Sequence, residues 1–169
     1  LINFEQLESS SAMNALDRYR LSNVSSAYTQ GAQTEAVFGV ARIAEIRAGY
    51  QWLDTWDRAR QRPLMNRARH QAHGSLQLGY PPSGVSLTTS VVWIGARNFY
   101  AEEEDGQNDS PVVTTYEAKP FTNLSANLQW NPSSRFGVFS RGENLLDVGN
   151  PVYSSQRPRR IVLGLKIGN

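Results

Sequence analysis

The most constraining feature of this sequence is a period-two alternation of apolar and polar residues that keeps returning. Ile161, Leu163, Leu165 and Ile167 alternate with Val162, Gly164 and Lys166. Thr122, Leu124, Ala126, Leu128 and Trp130 alternate with Phe121, Asn123, Ser125, Asn127 and Gln129. Ala72, Leu76, Leu78 and Tyr80 stand against Gln71, His73, Ser75 and Gln77, and Ala44, Ile46, Ala48, Tyr50 and Trp52 against Glu45, Arg47, Gly49 and Gln51. Successive strand side chains point to opposite faces, so each segment reads as a strand with one greasy and one wet side. A slip of one residue would exchange the faces, so the pattern fixes which side is buried.

Eight strands are predicted, over 2–8, 19–38, 42–56, 69–80, 85–99, 117–130, 136–146 and 160–168. Residues 39–41, 81–84 and 131–135 read as tight turns, whereas 9–18, 57–68, 100–116 and 147–159 are long, polar and charged. Short turns at one end and long loops at the other are the construction of outer-membrane barrels. Strands of about ten residues suit a tilted crossing of the hydrocarbon layer. Aromatic residues mark the strand ends. Tyr80 and Trp130 lie beside turns, and Trp52, Trp56, Phe99 and Tyr100 beside loops, as in two interfacial girdles. The expected fold is all-β, an antiparallel meander of about eight transmembrane strands, with 1–169 as a single unit. The alternative is a soluble β-sandwich or lipocalin-like barrel, in which the aromatics would be core and the loop asymmetry accidental.

Composition narrows the function classes. No run approaches the roughly 18 apolar residues of a membrane-crossing helix. Four Trp, seven Tyr and six Phe are too many for a chain that buries nothing. The formal net charge of +2 gives no polycation for a nucleic-acid partner. The absence of cysteine excludes disulfides, thiolate chemistry and zinc–thiolate sites. The chain opens at Leu1 without a leader pattern, as a mature product or a piece would.

Chemistry-bearing constellations are scarce. His70 and His73, three apart on one strand, point to opposite faces and cannot share a metal. No phosphate loop, nucleophile elbow or triad is assembled, so neither an enzyme nor a cofactor is expected. Glu102, Glu103, Glu104 and Asp105, near Asp109, form an acidic run whose spacing fits no regular calcium loop, so a solvated external loop is expected, with Glu102 to Asp105 as candidate ligand or partner contacts. Arg58, Arg60, Arg62, Arg67 and Arg69 are candidate contacts for lipopolysaccharide phosphates or an anionic ligand. Glu45, Arg47, Arg141 and Glu143 are expected to pair across neighbouring strands inside a barrel, and Gly49, Gly79, Gly95 and Gly142 to relieve curvature.

Two strings resemble the late barrel strands of TonB-dependent outer-membrane receptors. One is Ala48-Gly49-Tyr50-Gln51-Trp52-Leu53-Asp54 with Arg62-Pro63-Leu64, Arg67, Arg69-His70 and Leu76 to Tyr80. The other is Gly142-Glu143-Asn144-Leu145-Leu146-Asp147, Pro151-Val152-Tyr153 and Arg159 to Leu165, resembling the penultimate strand, last external loop and closing strand. Tyr28 to Gly31 with Glu35-Ala36 resembles an earlier strand more weakly. Asn144, Leu145 and Asp147 are the family motif, in a structural role. The chain departs from the pattern at Gln33, at Ala68 where proline is usual, and at its end, Ile167-Gly168-Asn169, where an aromatic residue is usual; that ending is what truncation or a different insertion route would leave.

The resemblance implies the C-terminal wall of an outer-membrane receptor that takes up a scarce, bulky nutrient such as an iron–siderophore or a cobalamin-like compound. It implies membrane lipid and lipopolysaccharide as surroundings, and an energy-coupling complex of TonB type acting through a plug that this chain lacks. Such receptors have about 22 strands, so the remaining barrel strands, on this or another chain, are implied partners. Open sheet edges in lipid would leave backbone groups unpaired at several kcal/mol each. Closure on itself as an eight-stranded barrel is the structural alternative, and a barrel anchoring an envelope complex without transport is the functional one.

Overall fold

A computed structural model describes residues 2–7, 18–23, 26–40, 43–103, 112–149 and 158–168. The strands are β1 (Ile2–Leu7), β2 (Arg18–Asn23), β3 (Ala27–Val40), β4 (Ala44–Asp57), β5 (His70–Tyr80), β6 (Val85–Ile94), β7 (Arg97–Glu103), β8 (Val112–Ala118), β9 (Phe121–Trp130), β10 (Phe136–Glu143) and β11 (Arg160–Ile167). Seven of them form one antiparallel meander in the order β11-β10-β9-β6-β5-β4-β3. β1 pairs with β2, and β7 with β8, as two-stranded ladders. No pairing joins β3 to β11 among the described residues, so the sheet is open and the self-closed alternative does not hold.

Register carries the alternation across the whole sheet. Ala36 sits opposite Ala48, Ala48 opposite Gly74, Gly74 opposite Val91, and Val91 opposite Leu124. Leu128 sits opposite Ser140 and Ser140 opposite Leu163. Residues directly opposite share a face, so the separately legible apolar stripes merge into one side. That side carries Phe38, Ile46, Leu76, Leu87, Leu128 and Leu163; the other carries Gln51, Ser75, Thr88, Asn127, Arg141 and Lys166.

Among the described residues the apolar side has no second layer. Ile161, Leu163, Leu165 and Ile167 are 64–80% exposed, and Phe38, Ile46, Tyr80 and Trp130 are exposed as well. Among the described residues the buried apolar side chains are Leu64, Ala68 and Ala118, all beyond the sheet's loop end. This is the reverse of a soluble sandwich, whose core lies between sheets. A contiguous apolar surface of this kind needs a partner phase.

Several boundaries differ from the sequence expectation. The segment 19–38 is two strands, interrupted before Ala27, and the turn expected at 39–41 falls after Val40. The segments 85–99 and 117–130 are each broken: β6 pairs with β9 down to Ile94↔Phe121, and pairing resumes at Arg97↔Ala118. Two residues are skipped on each side, Gly95-Ala96 and Lys119-Pro120, so the ladder is interrupted without a change of register. Pro120 has no N–H to give a ladder, and a Cβ on Gly95 would stand 2.8 Å from the His70 carbonyl oxygen, which already accepts from the Gly95 N–H at 2.9 Å. Within the expected loop 100–116, residues 100–103 and 112–116 continue the hairpin.

Candidate functional site

Two regions hold the polar chemistry: the wet side of the sheet and the ordered structure at its loop end. On the wet side, Ser90, Asn123, Ser125, Asn127, Arg141 and Glu143 line a shallow concavity of about 490 Å³. The polar side chains of β6, β9 and β10 thus surround a common hollow. Arg47 donates through Nε to Glu45 Oε1 at 2.7 Å, two residues away on its own strand. The expected cross-strand pairing of these two is replaced by an in-strand pair, because residues two apart share a face. Arg141 and Glu143 share the concavity. His73 lies on this side over Gly49, where any Cβ would overlap the imidazole. Gly164 lies likewise beneath the Phe139 ring, and Gly142 beneath Leu145. Gly49 and Gly142 thus make room for a neighbouring side chain and Gly95 for a backbone carbonyl, whereas Gly79 meets nothing within 4 Å.

The segment 57–68, expected as a long loop, is a compact excursion. Asp57, only 4% exposed, accepts from the Ala59 N–H at 2.9 Å and the Arg60 N–H at 3.1 Å, and its backbone pairs with Arg62. An aspartate that caps the backbone two and three residues on closes a tight turn. Gln61 takes the left-handed conformation there, φ 51°, and its amide donates to the Arg58 carbonyl at 2.7 Å. The chain then tucks Leu64 and Ala68 beneath it. Asn66 donates from its backbone to the Asn98 carbonyl at 2.9 Å, and Arg97 donates to Asn66 Oδ1 at 3.0 Å. The Arg97 guanidinium also lies 5.2 Å from the Phe121 ring centre, and burial lowers its pKa. These contacts dock the excursion against the base of the β7–β8 ribbon as one platform.

The candidate arginines separate by environment. Arg60 pairs with Asp57 at 3.7 Å, and Arg62 stacks 4.2 Å from the Tyr100 ring centre. Phe99 and Tyr100, expected in a lipid girdle, belong to β7 beyond the interruption, with Phe99 5.8 Å from Arg97. Arg58 is exposed and lies 5.8 Å over Tyr28. Arg67 is exposed. Arg69, at the bend before β5, donates to Asp54 Oδ1 at 2.7 Å. That carboxylate also accepts from Tyr28 Oη and Gln30 Nε2, each at 3.4 Å. Of the acidic run, Glu102 and Glu103 end β7, while Glu104, Asp105 and Asp109 lie outside the described residues. No cluster of three potential metal ligands occurs among the described residues.

A second knot closes β10. Asn144 is buried and left-handed, φ 48°; its Oδ1 accepts from the Val148 N–H at 3.1 Å and its Nδ2 donates to the Val148 carbonyl at 2.9 Å. Leu145 donates its N–H to the Leu124 carbonyl at 2.8 Å, holding the turn against β9. Asp147 accepts from the Arg159 N–H at 3.2 Å, which draws together the two ends of 147–159. Asparagine suits Asn144 because it tolerates this conformation and offers both a donor and an acceptor.

An open meander with one exposed apolar side, one polar side, short turns at one end and an elaborated other end is the architecture of a stretch of large outer-membrane barrel wall. The comparisons agree and are more particular. The fold matches part of the pyoverdine outer-membrane receptor FpvA from Pseudomonas aeruginosa PAO1, a TonB-dependent receptor, with a TM-score of 0.69 and 12% identity over 100% of this chain and 25% of that one. The ferripyoverdine receptor of the P. aeruginosa outer membrane, bound to ferripyoverdine, gives a TM-score of 0.66 and 14% identity over 98% of this chain and 23% of that one. The chain thus spans about a quarter of the receptors it matches. No family model and no curated protein sequence matches it.

Proposed function

We propose that the chain forms part of the wall of an outer-membrane receptor that imports a bulky chelate of siderophore type. The apolar side faces lipid and the polar side faces a lumen. β3 and β11 pair with further strands to close the ring, because unpaired edges in lipid are costly. Energy for import enters through a plug in that lumen, driven by an inner-membrane complex of TonB type. The turn at Asp57, the Arg62–Tyr100 stack and the knot at Asn144 support the external segments 57–68, 100–116 and 147–159 as part of the ligand-facing or partner-facing surface.

The observation that carries this reading is the whole-length match to a quarter of a pyoverdine receptor, made by an open sheet whose faces separate cleanly into apolar and polar. The test is uptake of radioiron supplied as ferric pyoverdine, and as a short panel of other ferric siderophores, by cells producing the full-length protein. Accumulation that stops when a protonophore collapses the inner-membrane potential supports the reading. A correctly inserted barrel that accumulates none of the panel above the empty-vector control contradicts it.

A further inference from the structure

We propose that the apolar side carries, at its loop end, a seat for the phosphate of an outer-leaflet lipid headgroup, built on Arg58 and Arg69. The proposal rests on reading that side as membrane-facing and adds a ligand to it. Within the seven-stranded sheet, register places no lysine or arginine on the apolar side. Guanidinium groups reach that side at the loop end. Asp54, Tyr28 and Gln30 share it by register, and Arg69 grips the Asp54 carboxylate there at 2.7 Å. Arg58 lies over the ring of the same Tyr28.

The height is right for a headgroup. β4 has 14 residues, where a tilted crossing takes about 9–11, so Asp54 stands at the loop-end rim of the band. Below it on the same side stand Tyr50, Trp52 and Trp93, the amphipathic rings that mark a bilayer interface. Two guanidinium groups against one carboxylate leave net positive charge at that level. Arg69 remains 64% exposed while held by Asp54, so its remaining donors stay open to a second anion. A guanidinium presents paired donors that match a phosphate. Arg60 and Arg62 differ, being half-buried against Asp57 and Tyr100.

The experiment is native mass spectrometry of the full-length protein extracted from outer membranes in mild detergent. The wild type is expected to retain diphosphorylated lipid A. Arg58→Gln with Arg69→Gln is expected to lower retention at least fivefold, Arg58→Lys with Arg69→Lys to give an intermediate value, and Lys166→Gln, on the polar side, to change nothing. Lipid A stripped of phosphate is expected not to be retained. Equal retention by the double Gln variant overturns the proposal, as does inorganic phosphate binding as tightly as the phosphorylated lipid. A wild type that retains no lipid, while cysteines at Leu163 and Leu165 still report acyl-chain contact, defeats the seat and leaves the membrane reading standing. Loss of that acyl-chain contact defeats the reading itself.

Discussion

Asn144 shows how much one side chain can hold. Replacing it by alanine removes two hydrogen bonds and puts a less tolerant residue at φ 48°. Each hydrogen bond is worth about 1 kcal/mol and the left-handed conformation costs about 1–2 kcal/mol. Asn144→Ala should therefore destabilise the barrel by roughly 3 kcal/mol, read as a lower urea midpoint of the refolded full-length protein. Asn144→Gly should lose less, because only the bonds go. Asp54 is held instead by a partner on another element, the Arg69 guanidinium, at 2.7 Å. Neither partnership was legible beforehand: Asp54 and Arg69 are 15 residues apart, and only the β4–β5 register brings them together.

At the scale of elements, alternation was enough to find most of the strands, because each has one face that must leave water. It failed where the driving force is different. Pro120 and Gly95 stop the ladder through a missing N–H and a close carbonyl, not through polarity; in the sequence Gly95 reads only as relief of curvature and Pro120 only as part of the strand expected over 117–130. The platform at 57–69 was invisible because its small core is assembled from single apolar residues, Leu64 and Ala68, with no period to betray them. Leu64→Ala should cost about 2–4 kcal/mol locally and leave the barrel folded. The measurement is limited trypsin digestion of intact cells. Cleavage after Arg58 and Arg67 should speed up, while the barrel keeps its heat-modifiable mobility. Gly164 tests strand packing: Gly164→Ala should destabilise by about 1–3 kcal/mol, and adding Phe139→Leu should recover part of the loss by giving the new methyl room.

For the whole molecule, register turns local patterns into a surface. Each strand's stripe could have belonged to a soluble sheet, but merged over seven strands, with no second layer among the described residues, they make one apolar side and one polar side. The most direct measurement is site-directed spin labelling of the full-length protein in reconstituted outer membrane. Single cysteines would replace Leu76, Leu124, Leu163 and Leu165 on one side, and Ser75, Asn127 and Lys166 on the other. The account predicts oxygen accessibility at the first set and access to a water-soluble nickel chelate at the second, alternating residue by residue. Labels at the first set that are shielded from both reagents, as in a protein core, would contradict it.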